Sequence, residues 1–129
     1  LQQVNTTSEV YSWITLALPP LPRQCTITEV RATYKGTGHS SVPAAKPVVV
    51  LIQRNPDTLV ETEIGRATDP SGSVGALDAV HPIPLSLAHA YDASKLYYVQ
   101  FVGENGANAT AGGRLYGLSV TIQGSQLHL

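Results

Sequence analysis

Between residues 95 and 123 (KLYYVQFVGENGANATAGGRLYGLSVTIQ) the apolar side chains recur at every second position, not at every third or fourth. Tyr97, Val99 and Phe101 alternate with polar neighbours in the first arm, and Tyr116, Leu118, Val120 and Ile122 in the second. Alternation at period two, with β-branched and aromatic residues, describes strands that bury one face. The polar, glycine-rich stretch between the arms reads as the loop of a long hairpin. A hairpin alone cannot hide its apolar face, so the rest of the chain must supply strands that pack on it.

The upstream residues do so. VYSWITLAL (10–18) is a strand whose even positions, Val10, Ser12, Ile14, Leu16 and Leu18, face the core, and Pro19, Pro20 and Pro22 end it. In CTITEVRATYK (25–35) the apolar phase changes from Cys25 and Ile27 to Val30, Ala32 and Tyr34, which places a β-bulge near Thr28 and Glu29. PVVVLIQ (47–53) is apolar at consecutive positions, as in a strand covered on both faces. Residues 58–68 (TLVETEIGRAT) are amphipathic and read as a strand nearer an edge. In HPIPLSL (81–87) Pro82 and Pro84 share one side, which suits an edge whose proline nitrogens need no partner. Residues 1–9 read as an N-terminal arm, and residues 10–129 as a single domain. No segment shows a capped stripe at helical spacing. The expected fold is all-β: an antiparallel, jelly-roll-like β-sandwich of about seven or eight strands.

Residues 91–94 (YDAS), 97–101 (YYVQF) and 115–120 (LYGLSV) together resemble the closing strands of small jelly-roll domains, as does the Trp13 strand with its proline break and following TITEV strand. Such domains occur in phage tail and capsid appendages and in bacterial surface proteins, often as trimers. The resemblance implies a structural or attachment role at a virion or cell surface, outside the cell, in a homo-oligomer, with trimers favoured.

Composition narrows the function classes. Only 13% of the 129 residues are charged, about half of the roughly 25% usual in globular domains. Such a surface suits packing against copies of the chain or binding of uncharged ligands. The net charge of −1 speaks against nucleic acid, which needs a basic stripe. No run approaches the ~18 apolar residues of a membrane span, and no signal peptide is visible, so no membrane insertion is expected. The chain begins at Leu1 and contains no methionine, which reads as a processed or excised piece. The one cysteine, Cys25, excludes an intrachain disulfide and reads as a small buried hydrophobe.

Reaction chemistry is hard to find. His39, His81, His89 and His128 have no metal-site spacing, and no metal or cofactor is expected. Glu61 and Glu63 share a strand face; paired acids serve glycosidases, but these read as a solvated face. Neither a nucleophile elbow nor a phosphate loop is present, and no catalytic residue is assigned. Two binding features remain. Tyr11 and Trp13 lie on the outward side of the first strand, as does Tyr98 on its own, where aromatics stack on sugars or fill a subunit interface. Glu104, Asn105 and Asn108 in the loop 103–113 offer oxygens and amides to a glycan or a calcium ion, although Asn and Gly also suit such a loop for backbone reasons. The sequons at Asn5 and Asn108 read as chance matches. The expectation is a non-enzymatic structural or assembly module acting through homo-oligomeric packing. The alternative is a carbohydrate-binding attachment module using Tyr11, Trp13, Glu104, Asn105 and Asn108.

Overall fold

The structure, a computed structural model, describes residues 2–5, 10–35, 47–70, 80–103, 114–123 and 125–129, without the side chains of 2–5, 10–13, 114 and 125. Among these residues there is no helix. The strands are β1 (Gln2–Asn5), β2 (Val10–Ala17), β3 (Thr26–Lys35), β4 (Val48–Arg54), β5 (Glu61–Thr68), β6 (Val80–Ala90), β7 (Leu96–Val102), β8 (Arg114–Ile122) and β9 (Ser125–His128). They form two antiparallel sheets, ordered β1-β2-β7-β4-β5 and β6-β3-β8-β9.

This order is a rolled hairpin. The β4–β5 hairpin sits in the larger sheet, its flanking strands β3 and β6 pair in the smaller, and β2 and β7 pair back in the larger. Alternation of successive pairs between two sheets is the jelly-roll path. An eight-stranded roll would close with a strand from before β2 pairing with β8. Here β9 returns from the C-terminus to that place, and β1 pairs with β2 instead. Gln2–Asn5, expected as part of an arm, is thus a strand of the larger sheet.

The core lies between the sheets. Val49, Leu51, Val99 and Phe101 face Ile27, Val30, Ala32, Tyr34, Ile83 and Val120, all buried, with Ile14 and Leu16 packed at the margin. Cys25 is buried at one end. The bulge expected near Thr28 is present: the register of β3 against both neighbours shifts between Ile27 and Glu29. β6 is an edge strand, with Pro82 and Pro84 exposed along it, and β5 is the edge of the other sheet.

Two expectations are corrected. The arms of residues 95–123 do not form a hairpin: β7 lies in the larger sheet and β8 in the smaller. Both bury their alternating side chains in the same core, but from opposite sides. Tyr116 does not share the buried face of Leu118 and Val120. Gly117 pairs with Thr33 and Leu115 with Tyr34, so Tyr116 is the extra residue of a bulge and is 56% exposed. The middle of the apolar run of β4 is buried on both faces, as expected, with Val50 on the outer side only 3% exposed, although among the described residues only one side of the larger sheet meets the other sheet.

Candidate interaction surface

The uncovered side of the larger sheet is the most distinctive surface. Cross-strand register fixes its members: Val48 opposite Val102, Val50 opposite Gln100, Ile52 opposite Tyr98, and Arg54 opposite Leu96. Thr15 and Ala17 of β2 extend these rows on one side, opposite Gln100 and Tyr98. Val50 is only 3% exposed although it points away from the core, and Val48, Ile52, Tyr98 and Val102 are half-buried. A solvated sheet face carries polar residues at these positions. Here the middle of the face is apolar.

Its rim is polar and internally neutralised. Arg54 pairs with Glu61 and lies over the Tyr98 ring, 4.8 Å from the centroid. Arg66 pairs with Glu63 at 2.7 Å. Residues three apart on a straight strand point to opposite faces. The register of β5 shifts where Leu51 meets Gly65 and Ile52 meets Glu63, which makes Ile64 the extra residue of a bulge. That bulge returns Arg66 to the face of Glu63, so the pair forms. Each partnership also raises the arginine's affinity for its proton, chiefly through the hydrogen bond to glutamate. Glu61 and Glu63 thus stand on a solvated edge, each facing an arginine.

Two polar seams join the sheets. At one end, Asp69, just after β5, has a fully buried carboxylate that bonds His81 Nε2 of β6 at 2.7 Å. The Tyr34 ring meets His81 edge-on at 6.2 Å between centroids. At the other end the Tyr97 hydroxyl is a hub. It accepts from Gln53 Nε2 at 2.8 Å and from the Asp92 backbone N–H at 3.0 Å, and it lies 2.8 Å from His89 Nε2. Both acceptor positions of the phenol oxygen are taken, so its own proton goes to His89. His89 is therefore neutral, with its proton on Nδ1. Burial lowers its pKa below the ordinary 6.5, partly opposed by Asp92. The Asp92 carboxyl is itself held below its usual range, first by its hydrogen bond from the Ser94 hydroxyl.

Of the residues singled out from the sequence, Tyr11 and Trp13 are in β2, opposite Val4 and Val102, but their side chains are outside those described. Glu104, Asn105 and Asn108 are outside the described residues altogether, as is His39. Tyr98 is on the uncovered face, as expected. His128 is exposed in β9 opposite Ser119. Sequence reasoning missed the apolar rows of Val48, Val50, Ile52 and Val102, the Asp69–His81 pair and the Tyr97 hub. The consecutive apolar residues of β4 were the available signal for the first. No protein family matches the chain, and no curated protein or solved structure is similar to it.

Proposed function

We propose that the chain is a non-enzymatic assembly module, displayed on a virion or cell surface, that packs against copies of itself through the uncovered face of the larger sheet. The observation that carries this reading is the apolar register of Val48, Val50, Ile52, Tyr98 and Val102 on a face that, among the described residues, no second sheet covers. An apolar patch with a polar rim is the anatomy of a protein interface.

The sheet edges support the same reading by being unsuited to pairing. β1 and β9 have four residues each, β6 carries Pro82 and Pro84, and β5 is bulged at Ile64 between charged residues. Short, proline-bearing, bulged and charged edges resist strand addition. Contact between copies then falls to a face. The resemblance to jelly-roll appendage domains adds the trimer as the expected assembly.

Size-exclusion chromatography with light scattering tests the proposal. A multiple of the 13.7 kDa chain mass is expected, and a monomer persisting at high concentration overturns it. Ile52→Lys places an ammonium in the middle of the patch, opposite Glu63, and is expected to yield folded monomer. The glycan-binding alternative keeps its own test, a glycan array read alongside quenching of the lone Trp13.

A further inference from the structure

We propose that the β4–β5 turn of one copy inserts Leu59 into a cleft at the same end of a second copy, between the connections that follow β2 and β6. This deepens the self-assembly reading and rests on it.

The turn is built to display an apolar group. Asn55 Oδ1 accepts from the N–H groups of Asp57 at 2.9 Å and Thr58 at 3.1 Å. Leu59 N–H donates to Asn55 O, and Asn55 N–H to Val60 O, both at 2.9 Å. These bonds close the turn and hold Leu59 at φ 60, a left-handed conformation that glycine adopts freely and a branched side chain does not. Yet the residue is leucine, 66% exposed, followed by Val60 at 62%. They are the two most exposed large hydrophobic residues among those described. Among the described residues, neither belongs to the core cluster. Strain held at an exposed apolar tip points to a role outside the isolated chain.

The cleft lies at the same end of the sandwich, because Ala17 pairs with Tyr98, Leu18 N–H donates to Tyr97 O, and Arg54 at the start of the turn pairs with Leu96. Its walls are Leu18, Pro19, Pro20, Tyr91, Lys95 and Leu96, and its free volume is about 200 Å³. A cavity on the order of 150 Å³ already admits a benzene ring, so a leucine side chain fits. The walls are mainly apolar, with the Lys95 ammonium on one side. The prolines have no N–H, and Tyr91 spends its hydroxyl on the Leu21 N–H and its own N–H on Cys25 O.

Charge matches as well. Asp57 stands on the turn and Lys95 on the cleft, and neither takes part in an ion pair among the described residues. A carboxylate beside the inserted leucine meets an ammonium beside the cleft. Tip and cleft are different surfaces of one chain, so the contact is heterologous: each copy gives its turn to one neighbour and its cleft to another. Heterologous contacts close into rings when the rotation allows, and a trimer is such a ring.

Sedimentation equilibrium of the full chain, with thermal unfolding alongside, tests the contact. Leu59→Gly removes the inserted group and relaxes the backbone. The expected result is association weakened about tenfold or more, as for a buried anchor residue, together with an unfolding midpoint unchanged or raised when both chains are compared at concentrations where they are dissociated. Asp57→Lys and Lys95→Glu are each expected to weaken association about two- to fivefold, and the double variant to restore it. Association unaltered by Leu59→Gly, or a double charge reversal that fails to restore it, overturns the contact. If Ile52→Lys still abolishes association in that case, the face reading stands without the turn. A wild-type chain that is monomeric throughout overturns both.

Discussion

β6 carries two inward histidines, one at each end, and they hold the sheets together in opposite ways. His81 faces a carboxylate, Asp69, that has no contact with solvent. His89 faces the Tyr97 hydroxyl, whose acceptor positions are already taken by Gln53 and Asp92 N–H. The first histidine donates through Nε2; the second accepts there. A proton added to His89 Nε2 meets an oxygen with no lone pair left to offer. The same residue type on one strand therefore meets an acceptor at one end of the sandwich and a donor at the other. What differs is the partner, and with it the direction of the hydrogen bond.

Removing the partner at each end gives the sharpest contrast. Asp69→Ala removes the buried carboxylate that bonds His81, and should cost about 2–3 kcal/mol of stability in chemical denaturation, as for loss of a charged hydrogen bond. Tyr97→Phe keeps the ring but withdraws the hub from Gln53, His89 and Asp92 together. Its expected cost is smaller, about 1–2 kcal/mol, because the Asp92 turn is exposed and water replaces part of the loss. If Tyr97→Phe proved the costlier of the two, the buried carboxylate would not be the stronger seam.

Acid acts on the His89 end. The folded pKa of His89 lies below its unfolded value of 6.5, so the unfolded chain binds more protons between the two. Stability is then full above about 6.5, declines as pH falls through that value, and levels off once the folded pKa is passed. His89→Gln should flatten this limb of the stability profile; an unchanged slope would assign the acid response elsewhere. At lower pH the Asp92 carboxyl adds a second decline, since its folded pKa is depressed and its stabilisation is lost as pH falls through that value.

The smallest effect lies in the wall between the seams. A Cβ at Gly65 in β5 would come within 3.2 Å of Leu85 Cδ1 across the core. Gly65→Ala should cost about 1 kcal/mol, because the far end of leucine gives way without moving backbone. A substantially larger loss in a melting experiment would show that β5 and β6 are held more rigidly than either seam alone requires.

Several of these features were legible in the residues and others were not, for reasons of geometry. The phase change at Thr28 and the paired prolines at 82 and 84 are local signals, and the structure has a bulge and an edge there. Period two tells which side chains share a face. It does not tell which sheet a strand joins, so β7 and β8 looked like one hairpin while facing each other across the core. A bulge resets the period without a fixed residue signature, which is how Tyr116 came to be counted with Leu118. The run VVVLI shows that both faces of β4 are apolar; only the sheet order shows that, among the described residues, one of them has no second sheet over it. Asp69 and His81 are separated by a stretch with no periodic pattern, and Gln53, His89 and Tyr97 meet only because three strands from two sheets converge. The aromatic and loop residues of the candidate binding surface, Tyr11, Trp13, Glu104, Asn105 and Asn108, fall where the structure describes no side chains.

The account depends on the uncovered face of the larger sheet being an interface. Sedimentation velocity of the wild-type chain and Ile52→Lys across the same range of concentrations examines that most directly. A larger species in the wild type that collapses to a folded monomer in the variant is the predicted result. Identical sedimentation of the two chains, whether both monomeric or both assembled, would contradict it.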